Sequence, residues 1–136
     1  MEEPANFADD PAIADDVDLW RRILPRWVVR DENTGELRLS SAAFDDSPDG
    51  SPMSVIIEKI AMAQQITPAK VLSGYDGYSL CAFTAGAARA LELRIATRPE
   101  VRGEPAHGFV VGKKTGSVKK QLRKASRWVI FNPPSS

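Results

Sequence analysis

The sequence predicts a small α+β domain, with a mixed or antiparallel sheet and about three to four helices. Three observations lead there. The chain has 136 residues, 43% of them hydrophobic, which suits one core and not two. Short apolar runs of strand length recur between Gly, Pro, Asn and Asp turn signals. Ser or Thr caps stand ahead of several segments with helical character, in no regular βαβ order.

Residues 1–17, "MEEPANFADDPAIADDV", read as a disordered acidic arm, because prolines and many Asp cannot offset the entropy of ordering. Phe7 and Ile13 are its apolar exceptions. The domain then spans 18–132. Pro25 interrupts "LWRRILPRWVVRD", giving a short strand or turn at 19–24 and a strand at 27–30. Asn33 and Gly35 supply a turn, and "LRLSSAAF" a second strand, so a β-hairpin is expected. After the loop "DDSPDGSP", Ser51 and Pro52 look like a helix start, with Met53, Ile56, Ile57 and Ile60 on one face. Thr67 and Pro68 open a second helix that ends before Gly74. "LCAFT" reads as a buried strand, "AGAARALEL" as a helix capped by Thr84, "LRIAT" and "HGFVVGK" as strands. "SVKKQLRKASRW" is helical, "WVIF" closes the sheet, and 133–136 form a flexible tail.

No apolar run approaches membrane length. The N-terminus lacks an apolar signal core, and Cys81 is the single cysteine, so a cytoplasmic protein without disulfides is expected. Among small apolar neighbours, Cys81 reads as an inert buried thiol.

The zero net charge hides an asymmetry: residues 1–18 carry seven acids and no base, and residues 106–136 seven bases and no acid. On the predicted C-terminal helix, Val118, Leu122, Ala125 and Val129 form an apolar stripe, with Lys119, Lys120, Arg123, Lys124 and Arg127 on the other side. A cationic face without i,i+4 acids suggests an anionic partner: nucleic acid, an acidic protein surface, or residues 1–18 of the same chain. Ahead of it stands "VVGKKTGS". A Walker A loop would need glycine where His107 stands and Ser or Thr where Lys114 stands, so this is not a P-loop. Lys113, Lys114, Thr115 and Ser117 at a helix start could still bind an anion; the plainer reading is that Thr115 or Ser117 caps the helix.

Elsewhere, a strand over "LWRRI" puts Arg21 and Arg22 on opposite faces, so one points inward and needs a carboxylate or a ligand. His107 has no ligand-spaced neighbours, so no metal site and no cofactor is expected; a structural histidine or a general base remain. Asp45, Asp46 and Asp49 do not match a calcium loop. Trp20, Trp27 and Trp128 read as core anchors.

The ordered series "LWRRI", "LRLSSAAF", "SPMSV", "FTAGAARAL", "AHGFVVGKKTGSVKKQL" and "WV" resembles a group of short uncharacterised bacterial proteins; this implies no activity and adds no catalytic residue. A second resemblance is to ADP-ribosyltransferase-like folds, in which an Arg or His on a first strand and a Ser on a second hold a nicotinamide dinucleotide. It implies Arg21 or Arg22 acting with Ser40 or Ser41, while Glu100 and Glu104 fall in a loop-like stretch rather than on a late strand.

The leading expectation is a binding module that engages an anionic partner through the GKKTGS turn and the basic helix. A nucleotide-handling enzyme using Arg21, Arg22, Ser40, Ser41 and His107 is the alternative, provided these converge in one pocket. A toxin–antitoxin or defence component acting through a partner protein is the third.

Overall fold

The computed structural model describes residues 6–99 and 101–134. The first five residues of the acidic arm, Glu100 and the last two residues of the tail lie outside the described residues.

The chain runs β1 (Asp18–Ile23), β2 (Val28–Arg30), β3 (Leu37–Leu39), β4 (Met53–Ile57), α1 (Glu58–Ala63), α2 (Pro68–Val71), β5 (Ser79–Thr84), α3 (Ala85–Arg89), β6 (Arg94–Thr97), β7 (His107–Val111), α4 (Gly116–Ala125) and β8 (Arg127–Ile130). Six strands form one sheet in the order β6-β7-β4-β1-β5-β8, every neighbouring pair antiparallel. β2 and β3 pair as the expected hairpin. The fold is α+β.

Strand alternation sends successive side chains to opposite faces, and both faces are covered. On one, Leu19, Ile23, Met53, Val55, Ile57, Phe83 and Val110 pack with Phe44, Ala85, Ala88 and Leu122. On the other, Trp20, Ile56, Leu80 and Ala82 pack with Ala61 and Val71. Thr84 caps α3 through the Ala87 N–H, Thr67 caps α2 through that of Lys70, and Thr115 caps α4 through that of Val118.

Three expectations need correction. Residues 53–57 form a strand, not a helix. The β-branched run Val55-Ile56-Ile57 packs better on a pleated sheet than in a helix, and α1 starts only at Glu58, with no side-chain cap. The second strand of the hairpin stops at Leu39, where Ser40 caps a 3-10 turn over Ser41–Phe44. The arm is not loose over residues 6–17. Ile13 and Val17 are buried in the main core. Phe7 stacks on Phe109 and lies under the Arg98 guanidinium. The Asp10 N–H donates to the Ile95 carbonyl, and Arg89 bridges Asp9 and Asp15. A few apolar anchors together with carboxylates seated on α3 and β6 supply what composition alone conceals.

Candidate functional site

β1 pairs with β5 along all six of its residues, but with β4 only at Leu19–Ile57 and Trp20–Ile56. Beyond Trp20 the two central strands diverge, and a cleft of about 180 Å3 opens between them. Trp20, Trp27, Tyr75 and Tyr78 give it flat walls; Arg21, Arg22, Glu104, Ser54 and His107 give it chemistry. A second hollow of about 440 Å3, reaching Asp45 and Asp46, meets it at Arg21, Leu24, Trp27 and Ser54.

The two arginines resolve the question their strand position raises. Arg22, on the Trp20 face, is paired: Nη1 donates to Glu104 Oε1 at 3.2 Å, Nε to the Val71 carbonyl at 2.9 Å, and the guanidinium lies 4.3 Å from the centre of the Tyr75 ring. Arg21 shares its face with Leu19 and Ile23, in the main core. Its Nε donates to the Ala43 carbonyl at 3.0 Å and its Nη1 to the Ser54 carbonyl at 2.8 Å, with Trp27 at 5.3 Å. Among the described residues it forms no ion pair. Part of the residue stays open to the cleft, but protein surrounds the guanidinium, and that desolvation pulls its pKa down to about 10 against partial relief from the surrounding acidic groups. Nη2 of Arg21 makes no hydrogen bond among the described residues, yet no buried side-chain nitrogen there lacks a partner; Nη2 is therefore not sealed from solvent.

His107 is buried, and sits opposite Ile56 in the β4–β7 ladder. Its Nδ1 lies 3.2 Å from the Arg98 carbonyl and its Nε2 3.2 Å from Ser54 Oγ. A carbonyl only accepts, so Nδ1 carries the proton. In the neutral ring Nε2 then accepts from the Ser54 hydroxyl.

Arg21, Arg22 and His107 thus meet in one cleft. Ser40 and Ser41 do not: Ser40 accepts from the Ala42 N–H and Ser41 is exposed on the turn. Glu104, expected only as a loop residue, is the carboxylate on Arg22. Ser54 was hidden by the helical reading of its segment; its place two residues before Ile56 on a strand would have revealed it. Trp20 and Trp27 anchor the core and also wall the cleft.

The basic C-terminal region is partly spent on the fold. The Lys114 side chain is largely covered, its Nζ held by Asp46 Oδ1 at 2.7 Å and by the Val110 and Gly112 carbonyls at 2.9 and 2.8 Å, and desolvation lowers its pKa. Lys119 pairs with Asp45 at 2.7 Å and Arg127 with Asp18. Thr115 is taken as the cap, and Ser117 is exposed in the first turn. Lys113, Lys120, Arg123 and Lys124 have no acidic partner among the described residues. Within residues 6–18, only Asp18 touches this basic set; Asp9 and Asp15 are drawn to Arg89 instead.

Among the described residues no cluster of His, Cys, Asp and Glu could hold a metal ion, and no helix is long and apolar enough to cross a membrane. Comparison with protein-family models, curated proteins and solved structures gave no match.

Proposed function

We propose that this domain recognises a small organic anion in the cleft between β1 and β4: a carboxylate or phosphate joined to a flat body. One observation carries the reading. Arg21 is a desolvated cation with no ion pair among the described residues; its Nη2 has no hydrogen bond there, and the residue lines the cleft. A buried charge is costly until neutralised, and a guanidinium fork suits carboxylate and phosphate oxygens. The rings of Trp20, Trp27, Tyr75 and Tyr78 offer stacking surface for the remainder of the ligand. The Arg22–Glu104 pair would set orientation through hydrogen bonds rather than charge. Titrating the protein with phenyl phosphate and recording amide and indole NMR shifts tests this. The expected result is saturable shifts at Trp20, Arg21, Trp27 and Ser54. Shifts confined to α4, or none at all, would refute it.

A second reading keeps the anionic macromolecule. Lys113, Lys120, Arg123 and Lys124 lie close in sequence without acidic partners among the described residues, and such a patch binds polyanions with strong salt dependence. Exchanging Lys120 and Arg123 together for Glu should abolish binding to a heparin column. Unchanged elution salt would remove this reading and leave the cleft untouched.

A further inference from the structure

We propose that Ser54 and His107 form a nucleophile–base pair that hydrolyses small carboxylic esters carrying a flat group. The inference rests on the reading of the Arg21 cleft and extends it, because the product of such a hydrolysis is itself a carboxylate. Nucleophilic serine catalysis needs a base within hydrogen-bond reach and a third group that fixes the base. Ser54 Oγ stands 3.2 Å from His107 Nε2, and the Arg98 carbonyl fixes Nδ1–H at 3.2 Å on the opposite side of the ring. That carbonyl takes the orienting role that a carboxylate fills in the Ser-His-Asp arrangement. The two side chains come from adjoining strands whose ladder pairs Ile56 with His107, so a rigid sheet sets their separation. Both line the cleft. Arg21 Nη1 is bonded to the carbonyl of the same Ser54, and Arg21 lines the same cleft.

The chemistry balances. As Ser54 Oγ bonds to the acyl carbon, its proton passes to His107 Nε2 and the carbonyl π pair moves onto oxygen. Collapse re-forms the carbonyl and breaks the ester C–O bond; the departing alkoxide takes the proton from Nε2. Water then attacks the acyl-serine with His107 again as base, releasing a carboxylic acid and restoring Ser54. Trp20, Trp27, Tyr75 and Tyr78 bound the volume left for the acyl and leaving groups, which favours short or planar substrates over long chains.

The experiment uses the full chain. A fluorophosphonate probe is added at neutral pH, adduct mass is followed with time, and the modified peptide is sequenced; p-nitrophenyl acetate hydrolysis is read in parallel. The expected result is one adduct per chain, on Ser54, and nitrophenolate release above that of Ser54→Ala, a variant that deletes one half-buried hydroxyl. His107→Gln should slow both reactions by about 100-fold or more. Should that buried substitution fail to fold, a fall in the wild-type labelling rate when millimolar phosphate occupies Arg21 supplies the second check. No Ser54 adduct, or ester hydrolysis equal in wild type and Ser54→Ala, overturns the proposal. A phosphate-dependent rise in Tm that persists without any adduct would overturn catalysis alone; absence of both would overturn the anion site as well.

Discussion

Replacing Arg21 by Met tests the cleft most directly, and its effect can be sized from the structure. Desolvation brings the Arg21 guanidinium well below its ordinary value, to about 10. At about 1.36 kcal/mol per pH unit, the buried cation is disfavoured by about 3 kcal/mol. That penalty is fully present at neutral pH and fades only as pH rises through the folded value, where the side chain loses its proton. An anion on Nη2 can recover up to about 3 kcal/mol, on the order of 100-fold in affinity. Met removes the charge and its penalty, but leaves the Ala43 and Ser54 carbonyls without their donor, a loss of similar size. The unliganded variant should therefore unfold within about 2 kcal/mol of wild type. Ligand at ten times Kd stabilises by roughly 1.4 kcal/mol, which for a domain of this length raises Tm by about 5 °C. In Arg21→Met the same concentration should raise it by less than about 0.5 °C. The assay is a thermal-shift titration with phosphate and phenyl phosphate at fixed low salt. Equal shifts in the two proteins would show that the charge on Arg21 does not hold the anion.

The other predictions concern the frame around the cleft. Burial pushes the Cys81 thiol up to about 12, so it should stay unreactive toward a disulfide reagent at pH 8 until the chain is unfolded in guanidinium; rapid native reaction would contradict its packing. A Cβ at position 108 would stand 2.8 Å from Ile57 Cδ1 and 3.1 Å from the Ala96 carbonyl, so Gly108→Ala should cost about 1–3 kcal/mol, seen as a Tm lower by several degrees, and should disturb His107 beside it. The Thr97 hydroxyl, and then the Ala12 N–H, hold the Asp10 carboxyl below its usual value. A lowered carboxyl stabilises above its unfolded pKa and loses that contribution as pH falls through the folded one. Pepsin cleavage in the arm should accordingly accelerate as pH drops below about 4, and Asp10→Asn should be cut fast throughout; equal cutting of both forms at every pH would remove Asp10 as the latch.

Most strands were legible because their signal is local. "LCAFT" and "HGFVV" are apolar on both faces, as strands inside a covered sheet must be. The helix caps at Thr67, Thr84 and Thr115 were legible for the same reason, since a hydroxyl reaches a donor three residues away. Residues 53–57 misled because Ser51-Pro52 mimics a helix start, while the partners that favour a strand, β1 and β7, lie nearly forty and more than fifty residues away. Of the cleft, the arginine pair could be read from strand alternation. Its closure could not. Glu104 reaches Arg22 across 82 residues and His107 reaches Ser54 across 53, and no periodicity encodes such meetings. The basic helix shows the converse. Its i,i+4 pattern is free of acids, but Asp45 and Asp46 approach from a distant loop and take up Lys119 and Lys114.

The divergence of β1 from β4 has a mechanical meaning. Through its backbone ladder the sheet is two three-stranded leaves, β6-β7-β4 and β1-β5-β8, sewn by a two-pair seam. Arg21 is a stitch beyond that seam, rooted in one leaf and tied to the Ser54 carbonyl of the other. A guest gripped by its guanidinium would tighten the stitch, so occupancy should slow amide exchange in both leaves together, well outside the footprint of the guest.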